Sequence, residues 1–274
     1  MVDTIVSAGL DSIWLSEVLT GPVVDPLVGL TWACAHNPKI KAGTTMLLPG
    51  RNPLRLAKEL ASLDALSGGR LLVTLVPGLT HAPERDAIGV PSKQRGAAID
   101  EALPLLRRLW SGEKVSHHGE TADFDDVTLS PLPHQDPLEV WLGGMAPAAL
   151  QRCGRLGDGW LPSLCSPAEA TDGKSVIDEA ADRAGRSIDP EHFGVSVGYA
   201  REPLSDRAIA ALAARSRGND PTELVPVGMA ALRVLLERYL EVGFSKFVVR
   251  PLAPPTSWTE EIEGLASAVG DLQT

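Results

Sequence analysis

The chain is poor in residues that staple a fold or hold a metal. It has three cysteines in 274 residues, Cys34, Cys153 and Cys165. Their odd number and the absence of any CxxC pair exclude a disulfide framework and a thiolate metal centre, leaving reduced packing residues suited to the cytoplasm. Cations are also scarce: 25 Lys and Arg against 35 Asp and Glu give a net charge of −10, which excludes a nucleic-acid surface built on clustered cations. No apolar run approaches the roughly 18 residues of a membrane span, and the start shows no basic region followed by an apolar core, so neither an anchor nor a secretory leader is expected. The adjacent His117 and His118 project in different directions and have no HExxH or matching carboxylate spacing, so no metal site is assigned. A GxSxG elbow is missing, and no GxGxxG follows an early strand.

The composition, 44% hydrophobic and 22% charged, is that of a folded globular protein. The length suits one domain over residues 1–274. Short apolar runs bounded by turn residues predict strands at 12–17, 39–47, 70–76, 138–143, 159–162, 193–200 and 246–251. Segments of helical period lie between them, among them 53–66, 95–110, 146–155, 168–184 and 229–242. This alternation predicts an α/β fold with a parallel sheet, best matched by a TIM (β/α)8-type barrel; a doubly wound open sheet ranks second. The chain opens on a helix and offers seven strands, so the barrel lacks its first strand here. Residues 114–137 form the longest insertion and are expected to make a small hairpin on one face.

Four stretches have spacing that suits a binding site, and each has a plainer structural reading. "IWLSE" puts Trp14 and Glu17 at a strand end, where a barrel's active-site mouth lies; the alternative is an interior Trp and a solvated Glu. "AGTTMLLPGRNP" ends a strand abruptly before a helix, and Arg51 there can meet a phosphate or carboxylate, although good βα loops look the same. In "LSGGRLLVTLVPGL", Ser67-Gly68-Gly69 reads as a helix C-cap, Val76-Pro77-Gly78 as the strand exit, and Arg70 as a salt-bridge residue at the far end of the strand. "VWLGGMAPAAL" stops a strand at Gly143 and Gly144 and launches a helix at once, in a form suited to an anion; a tight turn is the alternative.

Taken in order, "DSIWLSE", "DPLVGL", "KIKAGTTMLLPGRNPLRLAKELASLDALSGGRLLV", "RDAIGVPSKQRGAAIDEALPLLRRLWSGE", "VWLGG" and "GDGWLP" resemble the luciferase-like monooxygenase family, in particular its branch of oxidoreductases using the deazaflavin coenzyme F-420. The resemblance implies a coenzyme at the C-terminal ends of the strands. Its ring system would lie near Trp14, Glu17, Thr45, Met46, Gly78 and Leu79, and Gly143, Gly144 and Met145 would hold its phosphodiester. It also implies a non-proline cis peptide at Thr45-Met46 and makes Glu17 the first candidate for an acid/base role. Val18 stands where deazaflavin members commonly carry histidine, and Thr74 to Pro77 where the pattern is richer in glycine.

Three functions follow from this reading. The first is hydride transfer between coenzyme F-420 and a small organic substrate, with Arg51, Lys174 and Arg250 available for the coenzyme's acidic tail. The second is a flavin mononucleotide (FMN) monooxygenase, and the third a noncatalytic flavin-binding homologue. A homodimer is expected, and loops 78–92 and 114–137 are the expected substrate-choosing segments.

Overall fold

The seven runs predicted as strands all form strands, each end within two residues of its expected place. In this computed structural model, which describes residues 1–78 and 84–273, the chain divides into two compact units. One comprises Asp11–Leu142 together with Val2; the other comprises Met1, Asp3–Leu10 and Gly143–Thr274.

The Asp11–Leu142 unit is built on strands β1 (Ser12–Ser16), β2 (Lys41–Leu47) and β3 (Leu71–Val76), followed after a hairpin, β4 (Val115–His118) and β5 (Asp123–Val127), by β6 (Val140–Leu142). β1, β2, β3 and β6 lie side by side in that order, all parallel. Helices α2 (Pro26–His36), α3 (Pro53–Ser67), α4 (Glu84–Ala87) and α5 (Arg95–Trp110) provide the crossovers. Helix starts are set locally: Asp25 accepts hydrogen bonds from Leu27 N and Val28 N, Asn52 caps Arg55 N, and Pro26 and Pro53 occupy the first turn. Ile13, Ala42, Thr44, Met46, Leu71, Val73, Leu75, Val140 and Leu142 alternate along the strands and are all buried. Leu56, Leu60, Ile99, Leu103 and Leu106 of α3 and α5 are equally buried, and Trp110 joins these helices by donating to the Ala57 carbonyl at 3.0 Å.

The predicted hairpin is present within residues 114–137 and is moored twice. His117 Nε2 lies 2.9 Å from Glu101 of α5. Asp64, fully buried near the end of α3, accepts from His134 N at 2.7 Å and Gln135 N at 2.8 Å. The latter mooring lies beside Leu71, whose carbonyl accepts from Gln135 Nε2. That is the N-terminal end of β3, so this end of the insertion is not a substrate-choosing loop at the strand C-termini, contrary to expectation.

Arg70, at the same end, also differs from its expected salt bridge. Its guanidinium donates to the carbonyls of Cys34, Asn37, Ile40 and Ser67. Carbonyls left over at a helix C-terminus carry partial negative charge, so a cation there needs no carboxylate.

In the other unit, α1 (Val2–Ser7) opens the chain and no strand precedes β1 among the described residues. Here β7 (Gly159–Trp160), β8 (Gly194–Tyr199) and β9 (Lys246–Pro251) run parallel, β8 pairing with β9 from Gly194↔Lys246 to Tyr199↔Pro251, and Trp160 bridging to Phe193. Helices α6 (Pro147–Leu156), α7 (Pro167–Arg183), α8 (Asp206–Ala213), α9 (Pro221–Leu224), α10 (Met229–Glu241) and α11 (Trp258–Val269) complete it. α6 and α7 approach closely through glycine: a Cβ on Gly154 would lie 2.3 Å from the Ile177 carbonyl. No helix among the described residues is long and apolar enough to cross a membrane.

Candidate coenzyme site

The C-terminal ends of β1, β2 and β3 gather most of the predicted ring-side residues. Trp14 and Gly43 are register partners, and the indole lies directly on the glycine: a Cβ there would fall 1.8 Å from Trp14 Cε3. Two residues on, Thr45 Oγ1 accepts a hydrogen bond from Trp14 Nε1 at 3.0 Å. The result is a half-exposed aromatic surface held in one orientation. Gly43 was not singled out as a site residue, although a glycine inside a strand is the signal of such a close approach.

Glu17 follows directly, its backbone N donating to the Thr45 carbonyl at 2.8 Å. Its side chain is only 7% exposed, and both carboxylate oxygens are engaged: one accepts from Leu47 N at 2.8 Å, the other from the Arg51 guanidinium at 2.6 Å. Arg51 also donates to the Leu47 carbonyl and approaches Glu59 at 3.5 Å. Arg51 is therefore committed to holding the β2 exit against Glu17 and is not a spare cation for an acidic tail.

Met46 faces away from Thr45 by strand alternation, and its side chain is fully buried. The peptide joining the two is not cis. The cis bonds of the described backbone are Ser130–Pro131 and Asp136–Pro137, both before proline. The ladder explains this: β2 pairs with β3 without interruption through Thr45↔Thr74, Met46↔Leu75 and Leu47↔Val76, which requires extended trans residues. Gly78 has φ +89°, and a Cβ on it would lie 3.3 Å from Leu47 Cδ2 and 2.9 Å from Ile88 Cδ1. The turn is steadied by the buried Arg95, which donates to the Val90 carbonyl at 3.0 Å and the Pro77 carbonyl at 3.4 Å. Leu79 lies outside the described residues. Thr74, in register with Thr45, is fully buried and its hydroxyl has no hydrogen-bond partner among the described residues.

The predicted phosphodiester turn belongs to the other unit. Gly144 has φ +111°, a conformation closed to ordinary L residues, and a Cβ on it would sit 3.1 Å from the Ala149 Cβ. Its carbonyl accepts from Trp160 Nε1 at 3.0 Å, and Trp160 is fully buried. This bond holds the carbonyl inward. Helix α6 starts with Ala146 as its N-cap, which has no side-chain cap, and Pro147 in the first turn; both are exposed, and Gly144 and Met145 are half-exposed. Pro147 has no N–H and Ala149 N donates to the Ala146 carbonyl at 2.8 Å, so what this exposed helix N-terminus offers an anion is the Ala148 amide and the positive dipole end, next to the glycine turn.

Two predicted tail cations remain. Lys174 is used within its own unit, paired with Asp178 at 2.8 Å and placed 4.1 Å over the Phe193 ring. Arg250, near the end of β9, has no ion-pair partner among the described residues; desolvation and the like charge of Arg215 hold its pKa below the usual arginine range. Asp158 of "GDGW" pairs with Arg186 at 3.2 Å. All three cysteines are buried and none forms a disulfide; burial pushes the Cys165 thiol up to about 12. No group of three or more His, Cys, Asp or Glu able to hold a metal ion occurs among the described residues.

Residues 2–238 match the family model described as luciferase-like monooxygenase. The chain belongs to that family. It is 32% identical over 164 residues to an F-420-dependent glucose-6-phosphate dehydrogenase of Kineococcus radiotolerans, covering 56% of this chain and 48% of that protein. It is 31% identical over 180 residues to an FMNH(2)-dependent dimethylsulfone monooxygenase of Pseudomonas putida, covering 64% of this chain and 48% of that protein. The chain thus matches about half the length of these two relatives. Among solved structures, an F-420-dependent secondary alcohol dehydrogenase in complex with an F-420-acetone adduct aligns with a TM-score of 0.81 at 19% identity, covering 100% of this chain and 93% of the other. The fold is the α/β TIM-barrel type of this family.

Proposed function

We propose that the chain is an oxidoreductase that moves a hydride between coenzyme F-420 and a small organic substrate. The observation that carries this reading is the turn at Gly144 and Met145, half-exposed, shaped by the positive φ of Gly144 and braced by Trp160, with Gly143 buried behind it. The names of the Kineococcus relative and of the alcohol dehydrogenase structure support F-420 as the coenzyme. Arg250, exposed and without an ion-pair partner among the described residues, is available to the acidic tail of F-420, as it would be to the phosphate of FMN.

When bound, coenzyme F-420 supplies a hydride at its central ring carbon. The chain's part is orientation and exclusion of water. In the Asp11–Leu142 unit, Trp14 and Thr45 offer a fixed aromatic and hydroxyl surface, and Met46 can contribute only through its backbone. Gly78 permits close approach, and Leu79 belongs to the same proposed set. Glu17 holds the β2 exit and, if it takes a proton, must first part from Arg51. In the other unit, Gly143, Gly144 and Met145 bind the phosphodiester.

The Pseudomonas relative favours a second reading, an FMN monooxygenase. Parallel titrations of the purified chain with F-420 and FMN, followed by fluorescence, separate the two. Tighter binding of F-420 is expected; preference for FMN moves the assignment to the monooxygenase, and binding of neither leaves a noncatalytic homologue. We further propose that both units work as one luciferase-like domain, since the family match runs through them without a break, that the protein forms a homodimer, and that it resides in the cytoplasm.

A further inference from the structure

Four strands place one uncharged polar row across the face that carries Trp14. The registers Ser16↔Thr45, Thr45↔Thr74 and Thr74↔Trp141 set these residues side by side at one level of β1, β2, β3 and β6. Side chains alternate along a strand, so Thr74 points away from the fully buried Val73 and Leu75 and shares its face with Leu72 and Val76. Those two are half-exposed, as is Thr45 beside it. Thr74 itself has no exposure. It is thus enclosed within a face whose next positions along β3, and whose neighbour on β2, all reach solvent.

The Thr74 hydroxyl has no hydrogen-bond partner among the described residues. Enclosing a hydroxyl that bonds nothing disfavours the folded state, and a valine of nearly the same shape would fill the place without that penalty. Such a departure from the rules of folding is expected where a ligand completes the bonding. Thr45 adds a second donor. Its oxygen accepts from Trp14 Nε1 at 3.0 Å, which leaves its hydroxyl proton without an acceptor among the described residues. Paired strands lie about 4.8 Å apart, so Thr45 and Thr74 present two O–H donors at neighbouring positions of one face. Two neutral donors side by side suit an uncharged acceptor with two lone pairs, a carbonyl oxygen, better than a phosphate or a metal ion.

We propose that the Thr74 hydroxyl, with Thr45 beside it, holds a carbonyl oxygen on the pyrimidine end of the bound coenzyme's ring system. This contact rests on the coenzyme reading of the site and adds a residue that fixes how the ring is turned. Deazaflavin and flavin rings share that carbonyl-bearing end, so the contact is the same for F-420 and FMN. The ring reaches Thr74 by displacing neighbouring side chains, with the β2–β3 ladder left intact.

Fluorescence titrations with F-420 and, separately, FMN, together with urea unfolding of the coenzyme-free chain, test this. Thr74→Val keeps the shape and deletes the hydroxyl. It is expected to weaken coenzyme binding about fivefold to tenfold while leaving the urea midpoint of the free protein unchanged or higher. Thr74→Ser restores the hydroxyl and is expected to bind within about twofold of the wild type. A hydroxyl serving only the fold would do the reverse, lowering the midpoint when removed and leaving the affinity of the folded protein alone. Wild-type affinity in Thr74→Val overturns the contact. So does a lowered midpoint in that free variant, which would show that the hydroxyl already has a partner, and so does a Thr74→Ser protein as weak as the valine variant. A wild type that binds FMN and not F-420 overturns the F-420 assignment alone, and Thr74 is then judged by the FMN titration; a wild type that binds neither overturns both.

Discussion

Trp14 rests on Gly43, its Cε3 atom 1.8 Å from where any Cβ on that residue would stand. The indole therefore has its place only because its neighbour on β2 has no side chain. Gly43→Ala must move the ring or the strand. It is expected to cost about 1–3 kcal/mol in urea unfolding, as overpacking does, and to release the Trp14–Thr45 hydrogen bond. An unchanged midpoint and unchanged tryptophan emission would show that the ring is placed by something else.

Glu17 and Arg51 form a pair in which the carboxylate is nearly buried and the guanidinium about three-quarters so. Removing one partner strands the other. Glu17→Gln and Arg51→Met are each expected to destabilise by about 1–3 kcal/mol, discounted from the full buried-pair figure because Arg51 still reaches water. The double variant should lose clearly less than the sum of the singles. Strict additivity would mean the pair contributes nothing, and would return Glu17 to the role of an unencumbered acid/base group.

The glycine turn before α6 is tested by charge and by shape. Gly144→Asp places a negative group where the phosphodiester is proposed to bind. It is expected to weaken coenzyme binding about a hundredfold, roughly 2.7 kcal/mol. Gly144→Ala tests the positive φ and the 3.1 Å approach to Ala149 without the charge, and should have a smaller effect. Equal affinity for wild type and the Asp variant, measured by titration, would remove this turn from the site.

Glu101 couples the β4–β5 hairpin to α5 and gives it a pH dependence. Burial works against its charge, but hydrogen bonds from Thr121 and His117 outweigh it and hold the carboxyl below the usual carboxylate range. A pKa depressed in the folded state stabilises the protein above the unfolded value of about 4.3, and that contribution is lost as pH falls through the folded value. Protection factors of residues 115–127 in hydrogen exchange should therefore fall as pH drops below about 4.3, and Glu101→Gln should remove that fall. Equal acid sensitivity in wild type and variant would dissociate the hairpin from Glu101.

Period-based reading placed the strands and the longer helices well because burial on alternate residues or on every third and fourth is a local property of the chain. The 246–251 strand and the 95–110 helix coincide with β9 and α5 at both ends. What escaped was set by partners distant in sequence. Arg51 looked available until Glu17, 34 residues earlier, was seen to hold it. Arg70 needed α2's carbonyls, not a carboxylate. The Thr45–Met46 bond was read from family habit, whereas the actual constraint is the unbroken pairing with β3. Trp160 was visible in "GDGW", but nothing local said that its indole would reach back to Gly144.

Asp64 gathers two backbone amides and a side-chain amide from a segment 70 residues away. To an engineer this makes residues 114–137 a cassette with two docking pins, Asp64 at its base and Glu101 at its outer turn. A graft that shifts His134 and Gln135 by a single position would lose the first pin, and one that alters the outer turn would lose the second, since a Cβ on Gly119 would lie 2.2 Å from Glu101 Oε1 and the Thr121 hydroxyl donates to the same oxygen at 2.6 Å.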